Sequence, residues 1–320
     1  MRRILPVPAV LLWCACGGGS ASPDGAPPGW TAKAPLAAGP RQETAVAALA
    51  GRIYVIGGFN ATGGVVATVE VYDPARDAWA SVKPLPVAGH HVNAAPVGGK
   101  LYVVGMLQGT SFTASGLSYA YDPGADEWTA RSAMPPGSER GASGVAAIGA
   151  KIYVGGGLRG TAVADHWAYD TGGDAWERLP DLPAPRDHLV AGAVGGIAYF
   201  IGGRMAAIGS HSPRVFAYDP VGRAFAERAA MPTSRGGAAG AVVGGRIVVA
   251  GGEGNSADPS GVFPQVEVYD PARDAWDALP PMLTPRHGTG GAAPGTTFYV
   301  PGGATRAGFG ATAIVEALAL

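Results

Sequence analysis

The sequence predicts an all-β protein, a β-propeller of six four-stranded blades closed into a ring by its own N-terminal strand. Two observations carry this expectation. The stretch VEVYDPARDAW stands at positions 69–79 and recurs without a difference at 266–276. Around it runs a looser pattern: an apolar run ending in glycine (IYVIGG, LYVVGM, IYVGGG, AYFIGG, IVVAGG, FYVPGG), then a tyrosine, then an aromatic residue seven positions later. The first glycines are Gly57, Gly105, Gly156, Gly202, Gly251 and Gly302, at spacings of 48, 51, 46, 49 and 51. A fixed period of that length suits a four-stranded unit that buries its faces against its neighbours. Gly and Pro make up 52 and 28 of 320 residues. At fixed places in a repeat, they mark turns rather than low complexity.

In chain order, Arg2 and Arg3 precede an apolar run over residues 4–13. That run is too short to cross a bilayer as a helix and reads as an export signal over residues 1–16. Cys14 and Cys16 are the chain's 2 cysteines. The segment resembles a bacterial lipoprotein signal, with Cys16, after the small Ala15, as the lipidated residue and residues 17–28 as a Gly/Ser/Pro tether. Such an anchor would place the protein in the periplasm or at the cell surface, touching a membrane only through its lipid. The alternative is an ordinary cleaved signal with two incidental cysteines. No cysteine follows Cys16, so the domain at 29–320 must hold together by packing alone.

Within the first unit, residues 44–49 form a small-residue strand and Gly51-Arg52 a tight turn. Residues 53–56 form a buried β-branched strand, and residues 69–72 a third strand. Asp73-Pro74 suits positions i and i+1 of a type I turn, and Trp79 begins a fourth strand ending near Leu85. The tyrosine recurs as Tyr72, Tyr121, Tyr169, Tyr218 and Tyr269, and its partner as Trp79, Trp128, Trp176, Phe225 and Trp276. The sixth unit ends at Leu320 with no Asp-Pro turn and no tryptophan. Trp30 stands 49 residues before Trp79, in register to supply the missing strand and remove two open edges.

The double glycine followed by spaced Tyr and Trp resembles the kelch repeat, and the resemblance covers about residues 30–320. It implies a propeller serving most often as an interaction platform. Exported bacterial relatives also include sialic acid epimerases, so a sugar-processing enzyme with pore-facing acid/base residues is the alternative. Galactose oxidase-like copper chemistry is set aside, because the propeller has no cysteine for a Cys–Tyr cofactor.

What recurs in every blade is expected to be scaffold, and what occurs once is a candidate for function. Arg41, Arg140, Arg186, Arg235 and Arg286 recur at one position, with Gly89 in the remaining unit; they are expected to tie loop carbonyls, the alternative being a shared ring of positive charge that also attracts an anionic ligand. The loops after the glycines and those entering each first strand share one face, here the upper face. It carries Phe59, Gln108, Arg159, Arg204, Glu253 and Arg306, with Glu43, His91, His188 and His287 on the entering loops. Taken singly, each reads more often as a solvated loop residue; as a group on one face they form the default binding site. Of these, His91, Arg159, His188, Arg204, Glu253 and Arg306 are the candidate ligand contacts for a protein or glycan. Six histidines without metal-ligand spacing predict neither a metal site nor a cofactor, His90-His91 with a partner being the nearest approach. The carboxylates Glu43, Asp187 and Glu253 are scattered over different blades and nominate no catalytic pair. A net charge of −1 provides no electrostatic footprint for nucleic acid.

Overall fold

The computed structural model describes Met1 and residues 29–320; the tether, Cys16 and all but the first residue of the expected signal lie outside the described residues. The described chain is all β, arranged as six blades around a central channel. Blade 1 comprises Ala45–Leu49, Arg52–Ile56, Val69–Asp73 and Ala78–Val82, paired antiparallel in that order. The inner strands, such as AVAAL, GVAAI and VAGAV, are built from small residues because the inner edges of all six blades converge on one axis. The second strands are near-continuous apolar runs, as strands buried on both faces require.

Two blades depart from the pattern of the others, blade 2 in strand length and blade 6 in its inner strand. In blade 2, Met106 replaces the second glycine, and the strand runs on as Lys100–Gln108 into a long hairpin with Thr113–Asp122. Met106 is fully buried, and its sulfur fills the space beside Gly89, where the other blades have arginine. In blade 6 the inner strand shrinks to one bridge, Ala292 with Tyr299, followed by Pro294, which has no N–H to donate to a ladder. The outer strand of that blade is the N-terminal Trp30–Lys33, paired with Val315–Ala319. The ring closes as the sequence predicts.

The repeated aromatic residues join neighbouring blades. Tyr72 donates to Asp77 Oδ1 (2.5 Å), which also accepts from the amide of Ala34 just past the outer strand of the neighbouring blade (2.8 Å), while Trp79 Nε1 donates to Ala34 O (2.7 Å). The same clasp recurs as Tyr121, Asp126 and Trp128 on Lys83, as Tyr169, Asp174 and Trp176 on Ser132, and as Tyr269, Asp274 and Trp276 on Ala229. Blade 4 has Arg223 and Phe225 at the clasp positions, and its buried Tyr218 hydroxyl has no partner.

The recurrent arginines are scaffold in this structure. Arg41, Arg140, Arg235 and Arg286 are buried, and each donates to two or more carbonyls at its blade's strand ends. Three of them also pair with a buried carboxylate on the third strand: Arg41 with Glu70, Arg235 with Glu267 and Arg286 with Glu316. Arg186 makes a single such contact, to Pro185 O (2.7 Å).

Candidate functional site at the upper channel mouth

One residue from each entering loop forms a closed rim. The amides of His91, Ala142, His188, Gly237 and Gly288 donate to the carbonyls of Glu43, His91, Ala142, His188 and Gly237 at 2.8–3.1 Å, and Glu43 N returns to Gly288 O. All six have left-handed φ, between 49° and 68°. The conformation is easy for glycine but strained for Glu43, His91 and His188. Those three side chains are therefore held over the pore at a backbone cost that the six-membered ring maintains.

The second residue after the first glycine of each pair lies opposite the residue just before the rim. Thus Phe59 faces Gln42, Leu107 faces His90, Leu158 faces Gly141, Arg204 faces Asp187, Glu253 faces Gly236 and Ala304 faces His287. Of the six candidate contacts, the structure brings together Arg204, Glu253, His188 and His91. It adds Glu43, Asp187 and His287, which the candidate set omits. His91 Nε2 lies 3.0 Å from Glu43 Oε2 and 2.9 Å from His188 Nε2. His188 Nδ1 meets Asp187 Oδ1 at 2.5 Å, and Arg204 contacts Asp187 (3.3 Å), His188 Nε2 (3.1 Å) and Glu253. His287 Nδ1 stands 3.6 Å from Glu253 and 3.9 Å from Glu43, completing the circuit.

Arg159 and Arg306 stand apart. Arg159 is one residue further along its strand than the inward position, so the alternation of a strand turns it away, and it pairs with Asp165 at 2.8 Å. Arg306 lies exposed in its loop and donates to Phe309 O at 2.6 Å. The expectation of solvated loop residues also needs correction, because Arg204, Glu253 and His91 are 8%, 2% and 8% exposed. The three carboxylates, distant in sequence, converge because different blades deliver them to one axis.

Burial opposes ionisation of Glu43, yet the imidazole of His91, with His188 and His287 behind it, holds its carboxyl well below the usual range. Burial likewise works against Asp187, and the hydrogen bond and charge of His188 reverse that effect. His188 is pushed down by burial, with Arg204 and His91 adding to it. His90, buried beside His91, falls to about 4 and is neutral near pH 7. Its Nε2 must donate to Gly109 O (3.0 Å), so its Nδ1 accepts from His91 Nδ1 (2.5 Å). In its neutral form His91 therefore presents an Nε2 lone pair to Glu43 and His188.

Above this charged floor lies a cup of about 410 Å³. Its walls are Phe59, Phe112, Ile208 and Phe309, and its floor includes Glu43, His91, Arg204 and Glu253. Phe112 sits at the tip of the extended blade 2 hairpin and stacks obliquely on Phe59, 5.9 Å between centroids. Phe59 follows a repeated glycine pair and is legible in the sequence, whereas Phe112 and Phe309 are not; the one signal for Phe112 is the missing second glycine at Met106.

Comparison with known proteins bears on the fold. A family profile described as the KLHDC2/KLHL20/DRC7 Kelch-repeats domain matches residues 30–203, and the Kelch motif matches 234–283. The chain is 34% identical over 293 residues to Kelch-like protein terF of Aspergillus terreus, covering 87% of this chain and 64% of that protein. It is 34% identical over 173 residues to mouse Kelch-like protein 35, covering 54% and 29% respectively. The chain thus spans less than two thirds of either relative. The solved structure of YjhT superposes with a TM-score of 0.72 at 15% identity, over 89% of this chain and 96% of that one.

Proposed function

The chain belongs to the kelch-repeat family, and from that premise we propose that it is a binding module whose upper face receives a glycan or a projecting group of a protein partner. The observation that supports this reading is the aromatic cup over a buried charged floor. Phe112 and Phe309 are each 40% exposed, and such rings stack on an apolar face of a sugar or side chain. The floor offers both acceptors (Glu43, Glu253) and a donor (Arg204) to whatever polar edge points downward. A concave site of this size favours one inserted ring or chain end over a flat protein surface.

The test pairs a glycan array with a pull-down from an envelope fraction. Phe112→Ala and Phe309→Ala should leave the melting temperature nearly unchanged and weaken capture tenfold or more, about 1.4 kcal/mol. Arg76→Ala and Arg273→Ala, on the exposed Asp-Pro turns of the opposite face, should change neither. Capture lost with the turn variants and kept with the phenylalanine variants would place the site on the other face.

A sugar-processing enzyme is the second reading, favoured by the convergence of carboxylates and imidazoles below the cup. It predicts turnover of a free sugar, followed by proton exchange at the sugar's reacting carbon, that Glu43→Gln and Glu253→Gln abolish. Export and lipid anchoring rest on residues 1–16 of the sequence. A Cys16→Ser chain that stays in the membrane fraction would remove that proposal.

A further inference from the structure

We propose that Glu43, His91 and His188 hold a divalent first-row transition-metal ion at the upper channel mouth. The absence of ligand spacing along the chain is no obstacle, since each ligand is delivered by a different blade on one rim. One donor atom from each of the three lies within 4.8 Å of the others. The contacts of 3.0 and 2.9 Å about His91 Nε2 are close to the roughly 3.3 Å between donors on one tetrahedral ion with bonds of about 2.0–2.1 Å.

The proton positions make the argument stronger than proximity alone. His91 donates its Nδ1–H to His90 and His188 donates its Nδ1–H to Asp187, so in the neutral rings that a metal requires both Nε2 atoms present lone pairs to each other and to the Glu43 carboxylate. Three acceptors then converge, and the one donor that reaches them is Arg204 Nη2, 3.1 Å from His188 Nε2. The Asp187–His188 contact also has the form of the carboxylate–imidazole pair that orients metal-binding histidines.

A second observation points to the same cation. His287 is 1% exposed, and its Nε2 is committed to Arg306 O at 2.9 Å. Its Nδ1 has no hydrogen-bond partner among the described residues and faces two carboxylates, Glu43 at 3.9 Å and Glu253 at 3.6 Å. Within this circuit, Glu43, Asp187 and Glu253 are opposed by one fixed cation, Arg204. With neutral imidazoles two negative charges remain, the charge that one divalent ion cancels. Arg204 Nη2 donates to His188 Nε2 at 3.1 Å and must yield that contact to the ion, while keeping Asp187 and Glu253. Imidazole and carboxylate donors together suit zinc or iron(II) better than calcium or magnesium.

The proposal concerns the metal alone and does not depend on what fills the cup. The full chain, stripped with chelator at pH 8, is titrated with zinc chloride by calorimetry, and cobalt(II) is used as a spectroscopic probe. One equivalent should bind with a micromolar or tighter Kd, and bound cobalt should show the visible bands of low coordination number. His91→Gln and Glu43→Gln should each weaken binding at least tenfold, His211→Gln should not, and Arg204→Gln should tighten it. Should a variant fail to fold, X-ray absorption on the zinc-loaded wild type still counts imidazoles, with two or more expected. No micromolar binding by the wild type, or binding unchanged in His91→Gln and Glu43→Gln, overturns the site.

Discussion

Trp30 lies opposite Leu318 in one antiparallel ladder, so the first described strand and the last strand of the chain are hydrogen-bonded neighbours. The Trp30 indole also donates to Pro280 O (2.9 Å) on the adjoining blade and stands edge-on to Phe298 (6.2 Å). Trp30→Ala should therefore cost about 3–5 kcal/mol, read from denaturant unfolding. Deleting residues 29–36 should leave the Val315–Ala319 edge open and produce aggregation or loss of cooperativity. A truncated protein as stable as the full ring would show that strand to be dispensable.

The arginine series should divide by what each guanidinium leaves behind. Arg286→Ala strands Glu316 without a cation in a buried site, and Arg235→Ala does the same to Glu267, so each should cost about 3–5 kcal/mol. Arg186 is ion-paired with nothing and satisfies one carbonyl, so Arg186→Ala should cost about 1 kcal/mol. Equal losses for the three would mean that packing, not charge pairing, sets their contribution.

The ring, its blade number and its closure were legible because repetition compares the chain with itself. Scaffold arginines could be told from single residues on the same ground. Two features were not legible. Strand register decides whether a residue after the glycines points inward, and a miscount of one position put Arg159 in the candidate set while Arg204 and Glu253 fell on the inward side. Convergence was the other: Glu43, Asp187 and Glu253 read as scattered because distance in sequence says nothing about distance across a channel. The left-handed rim beside which they meet leaves no residue-type signature, being Glu, His, Ala, His, Gly and Gly.

Blade 4 offers a test of the inter-blade clasp by comparison within one molecule. Tyr269→Phe removes a hydrogen bond to Asp274 (2.6 Å), an aspartate that also caps Ala229 N, and should cost about 1–2 kcal/mol. Tyr218→Phe removes a buried hydroxyl that has no partner, so it should be neutral or slightly stabilising. Stability curves for the two variants, measured side by side, check the difference. A loss at Tyr218 equal to that at Tyr269 would mean its hydroxyl is satisfied in solution.

His166 should give the protein a sensitivity to mild acid. Its ring is fully buried in blade 3 against Phe200, Tyr218 and Phe225. Nδ1 lies 3.2 Å from Pro180 O, and Nε2 has no partner to accept from a second proton. Burial, with the charge of Arg140 adding to it and the Pro180 carbonyl opposing, lowers its pKa to about 3. The unfolded chain protonates this imidazole near its ordinary value of about 6.5. Below that pH the unfolded state therefore binds a proton that the folded state refuses. Stability should be complete above pH 6.5 and fall by up to about 1.4 kcal/mol per pH unit between about 6 and 3, levelling off once the folded state also takes the proton. Other groups titrate over the same window, so the measurement is the difference between the wild type and His166→Phe. The variant loses the Pro180 contact and should be the less stable of the two at pH 7.5, and the gap should narrow as the pH is lowered to 4.5. A gap that stays constant or widens in acid would show that His166 takes its proton in the folded state.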